Sequence, residues 1–367
     1  MKHSIRGALI AAVTVLWAGL ALYAWLKPAD IESNAERRKL EQLPTLSADS
    51  VLSGSFMSKF EDYTTDQFPL RDRFRQLKAG FHYHVLSQAD NNGIYLVDGN
   101  AAKLDYPLNE TSVDHALSVL NRVYEHNLAN SECRIYQAVV PDKGYYLAAA
   151  NGYPAMDYDA LIRKMNTGLP WASPIDLTDC LDAGDYYRTD THWRQEQLIK
   201  AAQKLCEAMG ASASRQEDYT PTPLDTPFYG VYFGQAALPM ELDTITLLRS
   251  ELLSSCTVYN YENKKTTAVY DMEKLTSRDL YDVYLSGATA LLRIDNPNAA
   301  TNRELIVFRD SFGSSIVPLL VQGYETITLV DLRYISSSLL GQYVTFVDQD
   351  VLLLYSTLVL NNSTALK

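Results

Sequence analysis

Glu304-Leu305-Ile306-Val307-Phe308-Arg309-Asp310-Ser311-Phe312-Gly313 joins an apolar run to a hydroxyl at a turn. A short apolar run bounded by turn residues reads as a strand buried on both faces. Residues 314–323 read as the helix that follows. Apolar runs at residues 326–330 and 351–355 repeat the strand, with a predicted helix at 335–342 between them. Strands alternating with helices predict a largely parallel sheet covered by helices, an α/β fold. In such sheets ligands gather beyond the carboxyl ends of the strands. Ser311 falls at one such end, where amides at a helix start can hold an oxyanion.

Upstream, Tyr186-Tyr187-Arg188-Thr189-Asp190-Thr191-His192-Trp193 supplies the second half of a possible chemistry. Asp190 and His192 are two apart, so an extended segment projects them from one side. A carboxylate beside an imidazole fixes its tautomer and stabilises its cation, and such an imidazole activates a hydroxyl. Asp190, His192 and Ser311 are therefore the candidate catalytic residues of a serine hydrolase or acyl transferase. The alternative is structural: Asp190 and His192 satisfy each other in a buried loop, and Ser311 caps a helix. Residues 133–140 read as another strand, ending in Pro141-Asp142-Lys143-Gly144. That placement makes Lys143 a candidate substrate contact. Arg188, Trp193, Arg309 and Asp310 flank the three catalytic candidates and join it in that class. Trp193 has two readings, packing under the Asp190–His192 segment or a ring face for a sugar.

The chain of 367 residues is 47% hydrophobic and 21% charged, the composition of a globular protein with a sizeable core. Its formal charge of −12 argues against a nucleic-acid surface. The 25 tyrosines suit strand packing or sugar rings. No HExxH, CxxC or glycine-rich phosphate loop occurs, and neither metal nor cofactor is expected. Cys133, Cys180, Cys206 and Cys256 allow three full pairings, among which the sequence does not choose. Cys206 falls on a predicted helix as a buried thiol.

Residues 7–26 carry no charge, a length that spans a bilayer as a helix. Lys2 and Arg6 precede them, and Trp17, Tyr23 and Trp25 crowd the far half as an interfacial belt would. The apolar core is long for a cleaved signal peptide, and the small-x-small site is poor. Residues 1–27 are read as a signal-anchor in the cell membrane, with residues 28–367 outside the cytoplasm. Residues 28–49 follow as a juxtamembrane stalk with a short helix at 35–42, and residues 50–367 as one domain. Within it, residues 50–64 and 71–88 read as helices, the second with Phe74, Leu77, Phe81 and Val85 on one apolar stripe. A second amphipathic helix is expected at 112–128 and a third at 194–209. Short runs at 230–233, 244–248, 257–261 and 266–270 read as strands, a β-rich insertion at about 212–272.

The blocks Thr189-Asp190-Thr191-His192-Trp193, Phe308-Arg309-Asp310-Ser311-Phe312-Gly313 and Val330-Asp331-Leu332-Arg333-Tyr334 together resemble the bacterial DHHW family. Residues 36–40, 66–72 and 92–95 add to the likeness. Here Asp-Thr-His-Trp stands where the family name has Asp-His-His-Trp, which spares the spacing of Asp190 and His192. The family is similar to the SGNH-like proteins that acetylate alginate and other exported polysaccharides. The resemblance implies an SGNH-like, flavodoxin-like sheet, with Asp190 orienting His192, His192 as base and Ser311 as nucleophile. Arg309 stands where ordinary SGNH proteins have glycine, and no Gly-x-Asn-Asp block occurs, so only the Ser311 amide is identified for an oxyanion. The activity implied is that of a carbohydrate O-acetyl esterase or O-acetyltransferase at the cell envelope. Its partners would be an acetylated or acetyl-accepting polysaccharide and the membrane, with room for a membrane-bound acyl-transfer partner. The alternative is a non-catalytic envelope protein of the same fold that binds glycan or another protein.

Overall fold

The computed structural model describes residues 2–367. An eight-stranded sheet forms its centre. In chain order the strands are β1 (Arg134–Val140), β2 (Ser173–Pro174), β3 (Thr257–Asn260), β4 (Lys265–Ala268), β5 (Leu291–Asp295), β6 (Glu304–Arg309), β7 (Thr326–Val330) and β8 (Asp350–Ser356). Their spatial order is β4-β3-β5-β7-β6-β8-β1-β2. The pairings from β7 through β6, β8 and β1 to β2 are parallel, and β5, β3 and β4 complete the other edge antiparallel. The largely parallel α/β sheet expected from the sequence is present.

Both faces of the sheet are covered, which explains apolar runs without polar alternation. Leu305 and Val307 enter one core with Leu352, Leu354 and the helix Ile199–Ala208. Ile306 and Phe308 enter the other with Val351, Leu353 and the helices Glu110–Val123 and Tyr158–Gly168. Register aligns Phe308 with Val330 on β7 and Leu353 on β8, and Ser356 with Val140 on β1. The carboxyl ends of β1, β6, β7 and β8 therefore open on one edge. Asp142, Asp310, Asp331 and Thr357 all stand there, just past their strands.

Several local expectations are corrected. Residues 35–42 are not a helix: Glu32–Ser33 pairs with Arg38–Lys39 as a small ribbon, turned at Arg37 with φ 54°. The ribbon is held by ion pairs that run from Arg38 to Asp66 and from Arg71 to Glu36, contacts that local propensity does not contain. Residues 230–233 are not a strand. Gly230 caps the helix Val231–Ala236, because Thr189 O accepts from the amides of Tyr232 (2.9 Å) and Phe233 (3.2 Å). The helix expected at 314–323 is one α-turn, Gly313–Ile316, followed by a tighter 3-10 run containing Pro318, which cannot donate to an α-helical ladder. The helix at 50–64 is broken at Gly54, with φ 77°. Within the stretch expected to be β-rich, Thr220–Phe228 and Asp243–Arg249 form a separate ribbon, whereas β3 and β4 extend the main sheet. All four cysteines are free thiols, Cys206 and Cys256 among them buried.

At the amino terminus the helix α1 (Lys2–Leu26) contains 22 residues, Ile5–Leu26, apolar and long enough to cross a bilayer, and none is buried by the domain. It leads through the Glu32–Lys39 ribbon to α2 (Ser55–Asp66) and α3 (Arg71–Gly80), which continues as a wider π turn, Phe81–Val85.

Candidate active site

Ser311 stands at the first turn beyond β6. Asp310 shapes that turn: its carboxylate accepts from Phe312 N (2.9 Å) and from Ser356 N at the end of β8 (2.7 Å). The amides of Gly313 and Ser314 donate back to Asp310 O and Ser311 O (both 3.1 Å). Three of the four amides at the turn are thereby engaged. The N–H of Ser311 itself has no partner among the described residues and is free to receive a substrate oxygen.

The Tyr186–Trp193 bridge folds the second block into a narrow loop whose end, Tyr187 N, donates to His192 O (3.0 Å). This loop carries His192 to the serine. His192 Nε2 lies 2.8 Å from Ser311 Oγ, and His192 Nδ1 lies 2.6 Å from Asp190 Oδ1. Asp190 is fully buried. Burial would push its carboxyl up, but His192, Arg37 and the Val231 amide outweigh that and hold it well below the usual carboxylate range. An ionised carboxylate only accepts, so Nδ1 carries the imidazole proton. In the neutral imidazole Nε2 is then an acceptor, and the Ser311 hydroxyl donates to it. That is the arrangement in which an imidazole withdraws a proton from a nucleophile.

The Asp190 carboxylate has four donors. Oδ1 takes His192 Nδ1–H and His192 N–H (3.0 Å), and Oδ2 takes Arg37 Nη1 (2.9 Å) and Val231 N (2.7 Å). Arg37 reaches in from the ribbon after α1 and also pairs with Asp279. Above the imidazole lies the Tyr281 ring, stacked at 3.9 Å between centroids and 10° between planes. The Tyr281 hydroxyl is 2.8 Å from Ser315 Oγ, which also accepts from Trp193 Nε1 (2.9 Å). Asp243 fastens the loop from the other side, accepting from Arg188 N, Thr189 N and Thr189 Oγ1 at 2.6–2.8 Å.

Arg37, Asp243 and Tyr281 were missed by sequence reasoning. Only Arg37 left a signal, since it sits in the 36–40 block that carried the family resemblance. The candidate substrate contacts are mostly corrected. Lys143, Trp193, Arg309 and Asp310 are all buried and present no surface to a ligand. Lys143 Nζ donates to the carbonyls of Tyr187 (2.7 Å) and Arg188 (3.2 Å), bracing the loop before Asp190. Burial pushes its ammonium down to about 7, against the pull of Asp190, Asp243 and Asp142. Arg309 donates to Ser314 Oγ (3.2 Å) and lies 3.8 Å from Asp331. It supports the turn beneath the serine. Trp193 adds a bond to Phe312 O (3.0 Å), tying the histidine loop to the serine turn. Arg188 is half-exposed and pairs with Glu241. Among the described residues no group of His, Cys, Asp or Glu is arranged to hold a metal ion.

Residues 177–330, which carry both the histidine loop and the serine turn, match the family model described as DHHW protein. A crystal structure of a DHHW family protein from Eubacterium siraeum is similar, with TM-score 0.59 and 23% identity over 75% of this chain and 94% of that one. PatB1 of Bacillus cereus is similar too, with TM-score 0.56 and 18% identity over 73% of this chain and 96% of that one. The same protein solved with a sulfonyl adduct gives TM-score 0.56 and 17% identity over 74% and 95%. At these identities the likeness is one of fold, and it extends well beyond residues 177–330. No curated protein matches the sequence.

Two substitutions test how the domain holds its site. Trp193→Ala should cost about 3–5 kcal/mol of stability, the usual loss for a buried large aromatic, and Trp193→Phe distinctly less, both measured by thermal or denaturant unfolding. Gly230→Ala places a Cβ 2.2 Å from the Thr189 carbonyl and 2.5 Å from Asp190 N, backbone atoms that cannot turn aside. It should destabilise by roughly 1–3 kcal/mol. It should also loosen the hold on Asp190, because the Val231 bond to that carboxylate is displaced with it.

Proposed function

We propose that this protein is a serine-dependent O-acetyl esterase or O-acetyltransferase acting on cell-envelope or exported polysaccharide, with α1 as a membrane anchor and the domain outside the cytoplasm. The observation that carries the reading is the Asp190–His192–Ser311 relay, with both hydrogen bonds at 2.6–2.8 Å. Ser311 Oγ attacks the acetyl carbonyl as His192 Nε2 takes its proton. The carbonyl oxygen becomes an oxyanion facing the free Ser311 amide. His192 then gives the proton to the leaving oxygen, and the C–O bond to the donor breaks, leaving acetyl-Ser311. Water or a sugar hydroxyl, deprotonated in turn by His192, attacks that ester and regenerates the serine. Imidazolium forms twice in this sequence, and the Tyr281 ring face and Asp190 carboxylate both favour it. PatB1, of similar fold, has been solved with a sulfonyl adduct, and activated hydroxyls are among the groups that sulfonyl reagents capture. The rival is a non-catalytic glycan- or protein-binding role, favoured by the single free amide at the turn.

Turnover of an aryl acetate ester by the full-length protein tests the proposal. Ser311→Ala should lower it on the order of 10³-fold or more, and phenylmethanesulfonyl fluoride should add one sulfonyl group to the native protein but none to that variant. Equal turnover by native and variant protein would assign the hydrolysis elsewhere and favour the rival.

Arg37 makes a separate prediction. Its bond to a buried carboxylate is of the class worth about 1.5–3 kcal/mol. Arg37→Ala should therefore lower kcat roughly 10–100-fold with KM little changed, and Arg37→Lys should recover part of the loss. A change confined to KM would show that Arg37 does not act through Asp190.

A further inference from the structure

Helix α3 presents its small and polar side to the protein. Ala79 is buried, Arg75 donates to Gly234 O (2.8 Å), and Tyr83 in the following π turn bonds to Leu96 O (3.3 Å). The stripe recognised in the sequence faces the other way: Phe74, Leu77, Phe81 and Val85 are 43, 68, 51 and 64% exposed. An amphipathic helix on a soluble domain does the reverse. A contiguous exposed apolar strip marks an interaction surface.

Two further observations say what covers it. Within Arg71–Gly80 stand Arg71, Arg73, Arg75 and Lys78 against the single acid Asp72, in a chain whose formal charge is −12. A basic helix with Phe and Leu on its apolar face has the composition of helices that lie in the headgroup layer of a bilayer. The strip is also continuous with α1. Phe74 meets Phe68 edge-on at 5.5 Å, and Phe68 meets Trp17 at 6.4 Å. Trp17 precedes Leu26, the end of the apolar span, by nine residues, roughly 13 Å along the helix axis. A contact that far down the span draws Phe68, and α3 behind it, into the membrane that α1 enters.

We infer that α3 and its π turn lie in the interfacial layer of an anionic phospholipid bilayer, the same bilayer that α1 spans. Phe74, Leu77, Phe81 and Val85 enter the acyl-chain boundary, and the exposed Arg73 and Lys78 meet the headgroups. The inference rests on α1 being a retained anchor. It also gives the docked helix a bearing on the site. Arg75 lies 3.2 Å from Glu36, Arg71 pairs with the same carboxylate, and the next residue, Arg37, grips Asp190. Docking thereby sets the height of the relay above the bilayer.

Photo-crosslinking of the full chain tests this. Leu77, and in a second variant Phe81, is replaced by p-benzoylphenylalanine, and the protein is reconstituted into vesicles of phosphatidylglycerol and phosphatidylethanolamine. Both side chains are exposed, so neither replacement burdens the core. Val347, also exposed at 54% but before β8 at the opposite edge of the sheet, is the control position. The expected result is phospholipid adducts by mass spectrometry at positions 77 and 81, at least severalfold above position 347. Vesicle flotation after carbonate washing reports the anchor independently. A floated chain whose position 77 links only to a second copy, or to nothing, would overturn the docking while leaving the anchor. A chain that does not float would overturn both.

Discussion

A buried carboxylate is tolerated only when every lone pair finds a donor, and Asp190 imposes that demand on the rest of the molecule. Its donors come from three places in the chain: His192 within its own loop, Val231 at the start of a helix, and Arg37 in the ribbon after the membrane-type helix. Each must be delivered to within 3.0 Å of the same two oxygens. The close approach of Gly230 to the Thr189 backbone is the steric side of this demand. The helix Val231–Ala236 exists where a strand was expected because its amides are used here. Local propensity yielded to a tertiary partner.

The same economy operates on the serine side. Asp310 uses its carboxylate to hold the turn rather than to meet a substrate, and it binds the end of β8 while doing so. Trp193 and Ser315 then join the turn to the histidine loop, and Tyr281 closes over the imidazole. Four neighbouring parallel strands end at one level, so the polar residues just beyond them are brought together without long connections. A nucleophile there sits on rigid elements, which is what a reacting geometry within tenths of an ångström requires.

The outer elements carry a second electrostatic lattice. Glu36 meets Arg71 and Arg75, Arg38 meets Asp66, and Gln67 bonds to the backbone of Asp30 and Glu41. The Arg38 guanidinium and the Glu41 amide hold the Asp66 carboxyl down at about 2, against its partial desolvation. These contacts bind the segment after α1 to the domain through charge rather than through a shared apolar core. The large side chains of α3 are thereby left exposed.

The sequence by itself determined the α/β class, the parallel strands β6, β7 and β8, the apolar span near the amino terminus, and the pairing of Asp190 with His192. Each is a local property: an apolar run, an uncharged length, a spacing of two. Placing Ser311 on that pair required only the further observation that both blocks follow strand or loop ends, and the blocks themselves carried the family likeness. Tertiary structure alone decided that Lys143, Trp193, Arg309 and Asp310 are framework, since burial depends on what packs around a side chain and not on its neighbours in the chain. It alone brought Arg37, Asp243 and Tyr281 to the site, across 153, 54 and 89 positions of sequence measured from Asp190, Thr189 and His192. It alone turned the stripe of α3 outward. Periodicity shows that a helix has an apolar face, but the packing of its other face on the domain decides which way that face points.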